Sequence, residues 1–348
     1  MPAFVGAHPD RPNDKYVDTM ALAYPREGVE VSPYMRDGMI DNWDLFEAVL
    51  DHAFEKVLKS ESEEHAVLFT EAPWNHKAKR EQLTELMLEK YSVPAFFICK
   101  TAVLAAFANG RATGLVIDCG ATHTSAVPVH DGYVLQQAVV KSPLGGDFLT
   151  MQCQQFLEEQ TKGQGGIVPA YQVAGKEVGE PGTAPKWTKK PNLPEVTKSW
   201  HSYMVKQSVL DFQQTVLQVS DLPYDEETLS NIPTVDYEFP NGLGGEYGEE
   251  RYRIAETLFN PTFYRGAGGQ NMLNVAHACT TSVGMCDMDL RPQLYNNAIV
   301  TGGNSLLQGF SERLNRDLAQ KAPSNMRFKL MSATGAAERR LGAWVSYL

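Results

Sequence analysis

Apolar side chains at Trp43, Phe46, Val49, Leu50, Ala53, Phe54 and Val57 recur every three or four residues, the period of one helix face. Asp41, just ahead of them, is a good N-cap and predicts a first helix from about that residue. The apolar run 66–69 reads as a strand ending at Thr70-Glu71-Ala72-Pro73, and Asn75 is placed to cap a second helix reaching about residue 91. A short strand at 95–98 and a helix at 101–108 follow, the helix stopped by Asn109-Gly110. Residues 115–118 then open three strands with turns at Cys119-Gly120-Ala121 and Asp131-Gly132, the second a strong hairpin signal. A helix is predicted from about 147 to 159 and a long one over 196–219. Between them, residues 162–194 are rich in Gly, Pro and Lys without periodicity, which predicts a surface loop or insertion. Residues 235–239 with Asn241-Gly242 suggest another hairpin. Near the end, 298–301 reads as a buried strand, Gly302-Gly303 as a turn and 306–318 as a helix. The first fifteen residues are Pro-rich and polar, and read as loop or frayed strand.

Strands alternating with helices predict an α/β fold with a mixed sheet covered by helices. At 348 residues, two or more lobes are expected, with a core large enough to need no disulfide or metal. The five cysteines are odd in number and lack CxxC spacing, which fits a reducing compartment. No charged-then-apolar leader opens the chain, so secretion is not expected. The longest apolar stretch, 93–108, is broken by Pro94 and Lys100 and falls short of the ~20 residues of a membrane span. A net charge of −11 opposes direct nucleic-acid binding, which draws on Lys and Arg against phosphates.

Two strand–turn units carry the candidate chemistry. Asp118 ends a buried strand beside the flexible Cys119-Gly120 turn, where a carboxylate can hold Mg²⁺ or its waters and turn N–H groups can face a phosphate. In Val300-Thr301-Gly302-Gly303-Asn304-Ser305 the glycines permit close backbone approach, and the next helix offers its N-terminus to an anion. Taken alone, each unit also fits an ordinary turn between core elements. The P-loop, GxGxxG, HExxH and GxSxG patterns are absent, and the histidines have no metal-ligand spacing. His123, read as lying in a strand, suits a structural role, and Lys186, Lys189 and Lys190 are too sparse for an import signal.

Read in order, several segments resemble the actin family: Thr70-Glu71-Ala72-Pro73-Trp74-Asn75, Ala108-Asn109-Gly110-Arg111, Asp118-Cys119-Gly120-Ala121-Thr122-His123-Thr124, Tyr237-Glu238-Phe239-Pro240-Asn241-Gly242, Met285-Cys286-Asp287, Thr301-Gly302-Gly303-Asn304, and Glu338-Arg339-Arg340 with Trp344. Within it, Lys100-Thr101-Ala102-Val103-Leu104, Lys141-Ser142-Pro143-Leu144 and Ser199-Trp200-His201 resemble the actin-like protein 6 group, the Brahma-associated nuclear actin-related proteins. The resemblance implies a two-lobed fold of the ribonuclease H-like/actin ATPase superfamily, with mixed sheets flanked by helices. It divides the chain into 1–36, a small outer subdomain; 37–107 with 342–348, the first large-lobe subdomain; 108–146 with 271–341, the second; and 147–270, an outer subdomain carrying the 162–194 loop.

The same resemblance implies an ATP cleft at Asp118, Gly120, Thr122, Gly302, Gly303, Asn304 and Arg340, with Asp118 near metal only if Mg-ATP binds. Departures from the family argue against hydrolysis. Thr101 stands where actins use a glutamine to orient water, Ala121 alone replaces an Asp-Gly pair in the second phosphate turn, and Ser202 and Tyr203 replace a Lys-Glu pair near the adenosine. The family's first β-hairpin and its C-terminal helices have no counterpart, which suggests a shortened isoform or an incomplete gene model with an open sheet edge. The expectation is a non-catalytic nuclear subunit of SWI/SNF-type remodelling and related histone acetyltransferase complexes. It needs no cofactor, binds ATP at most, and forms no filaments. Its implied partners are nuclear actin and a helical segment of the remodelling ATPase. The alternatives are a weak ATPase of the actin superfamily and a cytoskeletal subunit.

Overall fold

The structure, a computed structural model, describes residues 2–162, 166–177, 184–229, 231–263 and 272–345. Of the two readings of the opening residues, loop or frayed strand, the strand is the one found. Strands β1 (Phe4–His8) and β2 (Arg11–Tyr16) pair antiparallel, and β3 (Glu30–Pro33) joins the other side of β1. Val5 supplies the driving force, fully buried with Val17 and Leu45. Pro12 is tolerated because β2 is the edge strand. Helix α1 (Thr19–Ala23) lies between β2 and β3, capped by the Asp18 carboxylate.

A two-residue ladder, β4 (Met35–Arg36) with β5 (Met39–Ile40), leads into α2 (Trp43–His52). Its cap is Asn42, whose side chain accepts from the Leu45 N–H, rather than Asp41 one residue earlier. Next come β6 (Val67–Glu71), α3 (Lys77–Glu85), β7 (Phe96–Lys100) and α4 (Thr101–Ala108). Asn75 does not cap α3, because its amide donates to the Glu71 carboxylate at 2.8 Å. Strands β6 and β7 form a parallel pair with no third strand among the described residues, and Phe97 is 62% exposed on it.

The principal sheet is built from β8 (Gly114–Cys119), β9 (Thr124–His130), β10 (Tyr133–Val134) and β11 (Val140–Ser142). Helix α5 (Gly146–Gln160) follows, and the 162–194 segment proves partly ordered, with a hairpin of β12 (Val173–Lys176) and β13 (Trp187–Lys189). Residues 163–165 and 178–183 of that segment, and 346–348 at the end, lie outside the described residues. Helix α6 (Lys198–Val216) is capped by Thr197, and α7 (Glu226–Leu229) is a single turn. The expected hairpin is β14 (Val235–Glu238) with β15 (Gly244–Tyr247), followed by α8 (Glu250–Glu256), α9 (Val275–Gly284) and α10 (Arg291–Asn296). The chain closes with β16 (Ala298–Thr301), α11 (Phe310–Lys321), β17 (Leu330–Met331) and α12 (Ala336–Val345). Helix α11 starts at Phe310, not 306, because Gly309 at φ +81° breaks the backbone ahead of it.

In the principal sheet the order is β10-β9-β8-β16-β17, with β11 also on β9. Strands β8 and β16 are parallel, and their register sets Asp118 opposite Thr301. Alternation along β8 sends Leu115, Ile117 and Cys119 to one core, with Val300, Leu149 and Cys279. Val116 goes to the other face, packed with Ile299 on Ala102, Val103 and Ala106 of α4. The sheet is thus covered on both faces, so both glycine turns leave the same carboxyl end of adjacent parallel strands. That end is where open α/β sheets place ligands.

Candidate functional site

Asp118 is the last apolar-flanked position of β8, and its carboxylate enters a pocket of about 200 Å³ lined by Trp74, Thr101, His123 and Thr301. It makes no hydrogen bond or ion pair among the described residues. Burial pushes its pKa up to about 6, since the charged form loses water without gaining a partner. A wider cleft of about 970 Å³ adjoins, lined by Gly120, Thr122, Gly303, Asn304 and Arg340, with α6 as the opposite wall. Six of the seven expected residues therefore line these two spaces, and Gly302 supports them from behind. A Cβ on Gly302, at φ +92°, would sit 2.4 Å from the Cys119 carbonyl oxygen and 2.6 Å from Asp118 Oδ1, so only glycine lets the two turns approach.

The turns are braced by each other. Asn304 donates through Nδ2 to the Gly120 carbonyl at 2.8 Å, making it a strut between the turns. The first N–H groups of α5 are used likewise: Gly146 donates to Gly120 O at 3.0 Å and Asp147 to Ala121 O at 2.7 Å. Gly145 is required there, because a Cβ would lie 2.6 Å from both Ala121 O and His123 N. The N–H groups of Ala121 and Thr122 find no acceptor among the described residues and remain available to an anion. His123 lies just ahead of β9 rather than within it, its Nδ1 2.8 Å from Thr122 Oγ1 and its ring edge-on to Trp74 at 4.6 Å. Burial lowers its pKa, with Asp37 opposing and Lys141 adding to the shift.

Thr101 lines the Asp118 pocket, but its hydroxyl donates to the Glu71 carbonyl at 2.9 Å. Glu71 is buried and held by Lys100 at 2.8 Å and Arg80 at 3.1 Å, so that anchor is rigid. On α6, Ser202 is exposed and Tyr203 is buried against Phe4, ring centroids 5.3 Å apart. The α6 cation in the cleft is Lys206, one turn further on, and it pairs with Asp147 at 2.7 Å. Sequence reading missed it because Lys206 occupies an ordinary helix-surface position. Arg36 was missed too and lines the cleft with Arg340. Arg339 points away and pins α12 through the Ala333 and Ser305 carbonyls at 3.0 and 2.7 Å, which leaves the next residue, Arg340, facing the cleft.

Beyond the lining of the cleft, the start of α6 is clasped to α1 and β3. Trp200 is 1% exposed and donates to the Leu22 carbonyl at 2.8 Å, while Thr197 donates to Val29 O at 2.6 Å. Ser199 accepts from the Val31 N–H at 3.0 Å and donates to Glu30, and Leu22, Val31, Tyr171, Trp200 and Tyr203 share one buried cluster. Among the described residues no three His, Cys, Asp or Glu side chains gather around a metal position.

The chain was compared with known proteins. The model of the family described as Actin matches residues 1–346. "Actin-related protein 4" of Arabidopsis thaliana is 38% identical over 340 residues, 95% of this chain and 75% of that protein. The protein of the same name in Oryza sativa subsp. indica is 36% identical, over 93% of this chain and 73% of its own length. The "SWI/SNF and RSC complexes subunit arp42" of Schizosaccharomyces pombe is 30% identical, over 99% of this chain and 84% of its own.

Proposed function

The chain belongs to the actin family, and we propose that it serves as a non-catalytic subunit of a nuclear chromatin-remodelling assembly of the SWI/SNF type or a related histone acetyltransferase complex. Its partners there would be actin and a helical segment of the remodelling ATPase. The name of the fission-yeast relative supports the assembly class. Placement in the actin-like protein 6 group rests on the quoted segments, while the plant relatives carry the name Actin-related protein 4.

One observation carries the non-catalytic reading: Thr101, the polar α4 side chain lining the Asp118 pocket, commits its hydroxyl proton to the Glu71 carbonyl, which fixes the short side chain and leaves it only lone pairs to offer a water. The short Ala121 turn and the Lys206–Asp147 pair remove further groups from the phosphate side. Purification of the tagged chain from nuclear extract tests the assembly, expected to recover a remodelling ATPase together with actin. Recovery of neither would refute it. Steady phosphate release abolished by Asp118→Asn would refute the absence of catalysis.

A second reading, nucleotide binding without turnover, is favoured by the N–H groups of Ala121 and Thr122 beside Arg36 and Arg340. These groups fit a phosphate chain, and Asp118 would hold its Mg²⁺ or the ion's waters. A bound nucleotide would supply charge that rigidifies the two turns. Calorimetric titration with Mg-ATP tests it, and absence of heat at millimolar ligand refutes it.

A further inference from the structure

We propose that the groove between residues 218–229 with Ile232, α8 and the Gln308-Gly309 corner is a docking site for a Lys/Arg-rich segment of another protein that carries one apolar anchor. The groove encloses about 590 Å³ and shares no lining residue with the nucleotide-type cleft. Its floor and lip are apolar: Val219 and Leu229 are buried, Leu222 is 42% exposed at the rim, and Pro223 and Ile232 complete the wall.

Charge selects the occupant. Asp221, Asp225 and Glu312 line the groove, and no Lys, Arg or His does. Between residues 221 and 256 there are ten acidic side chains and two arginines; Glu238 and Glu256 are paired with Lys176 and Arg313 from outside the stretch, which leaves a net of six negative charges there. The field extends past the rim to Tyr224, whose phenol is pushed up by burial and then by Glu249, against Arg253, with Glu226 and Glu250 adding to it. Arg316 adds one positive charge beside Asp221, where it donates to the backbone carbonyl, but the lining itself holds no cation. A nucleic acid would be repelled, whereas a basic peptide gains both the potential and an apolar pocket for its anchor.

The walls are also fixed before any partner arrives. Val219 N–H donates to Gln308 O at 2.8 Å, Gln218 Nε2 to Gln308 Oε1 at 2.9 Å, and Tyr252 OH to Gln218 Oε1 at 2.8 Å. Gly309, at φ +81°, lets the corner close, since a Cβ there would lie 2.0 Å from the Val219 carbonyl. Arg313 holds the Leu222 carbonyl at 2.9 Å while paired to Glu256 through two contacts of 2.7 Å. A preformed groove avoids the ordering penalty that flexible loops bring to binding.

The test uses the full chain and a fluorescein-labelled lysine-rich peptide with a single central leucine, followed by anisotropy. Saturable one-to-one binding is expected, weakening as salt rises. A combined Asp221→Asn, Asp225→Asn and Glu312→Gln variant should lose about tenfold in affinity. So should Leu222→Ser, an exposed position that spares the fold, or a peptide with serine in place of its leucine. Melting curves confirm that each variant is folded. The proposal is overturned if neutralising the three carboxylates leaves affinity unchanged, or if the leucine-free peptide binds equally well, which would indicate a diffuse field and no groove. It is also overturned if the variants alter self-association or duplex DNA binding and leave peptide binding intact.

Discussion

Asp118→Asn isolates the half-buried carboxylate at the heart of the cleft. The substitution preserves shape and removes the charge. In the folded chain the carboxyl pKa stands at about 6 against an ordinary 3.8, raised by burial alone. The folded state therefore holds its proton more tightly than the unfolded one between those values. Stability is highest at low pH on this account, falls as pH rises through the window from about 4 to 6, and above it carries a constant penalty of about 3 kcal/mol. Relative to wild type, Asp118→Asn should be more stable by up to about 3 kcal/mol at pH 7.5, the advantage shrinking towards zero near pH 4. His123, whose depressed pKa makes stability fall with falling pH, contributes to both proteins and cancels in the difference. Chemical denaturation of both proteins at closely spaced pH values between 4 and 8 gives the curve directly. A variant that is equally or less stable at pH 7.5, or a difference that does not change with pH, would refute the reasoning.

Four further outcomes follow from the geometry. Trp200→Ala, which empties the clasp and orphans the Leu22 carbonyl, should cost about 3–5 kcal/mol; hydrogen exchange should then accelerate in α1 and β3 before it does in the principal sheet. Gly302→Ala should destabilise by at least about 2 kcal/mol, because both the positive φ and the 2.4 Å approach to Cys119 O forbid a methyl group; a melting curve like that of wild type would contradict it. Arg313→Ala should cost about 3–5 kcal/mol by stranding Glu256, while Arg313→Met with Glu256→Leu should cost clearly less in the same denaturation assay. Thr101→Gln should leave phosphate release within about twofold of wild type, since the turn at Ala121 stays short and Lys206 stays paired; a rise of an order of magnitude would show that water positioning alone is missing.

Both glycine turns were legible in the sequence because each follows a short strand with an apolar run and needs a residue without a side chain. Their adjacency was not legible. It depends on the parallel register of β8 with β16, a contact across more than 180 residues that local pattern cannot express. Local reading failed where a polar side chain had two plausible uses. Asp41 and Asn42 are both good caps, and the backbone chose the second. Asn75 has capping chemistry but sits beside a buried carboxylate that binds its amide more strongly. Trp200 scans as one more apolar position of a helix, and its role as a clasp appears only when Leu22 arrives from the distant amino-terminal sheet. The opening residues stayed between loop and frayed strand because Pro and polar residues dominate β2, which its edge position makes viable, while buried Val5 secures the central β1.

What most bears on function is how the polar groups of the cleft are satisfied. The carbonyls of the second turn accept from α5 and Asn304, Lys206 pairs with Asp147, Thr101 bonds Glu71, and the outer rims are joined by Trp200. Each is a contact that the protein makes with itself, so the closed arrangement does not depend on a ligand to neutralise its interior. A cleft built to turn over nucleotide would need the opposite: groups held short of their partners until the ligand arrives, because only interactions that strengthen in the transition state accelerate a reaction. The exceptions are the free N–H groups of Ala121 and Thr122 and the carboxylate of Asp118, half-buried, without a partner among the described residues, and carrying a standing penalty at neutral pH. If the cleft is scaffold alone, removing that charge should raise stability and leave untouched the proposed binding of actin and the ATPase subunit. If the cleft still receives Mg²⁺ with a nucleotide, the same substitution should abolish the stabilisation that Mg-ATP gives wild type. The stability gain appears in both cases, so the response to Mg-ATP separates the two.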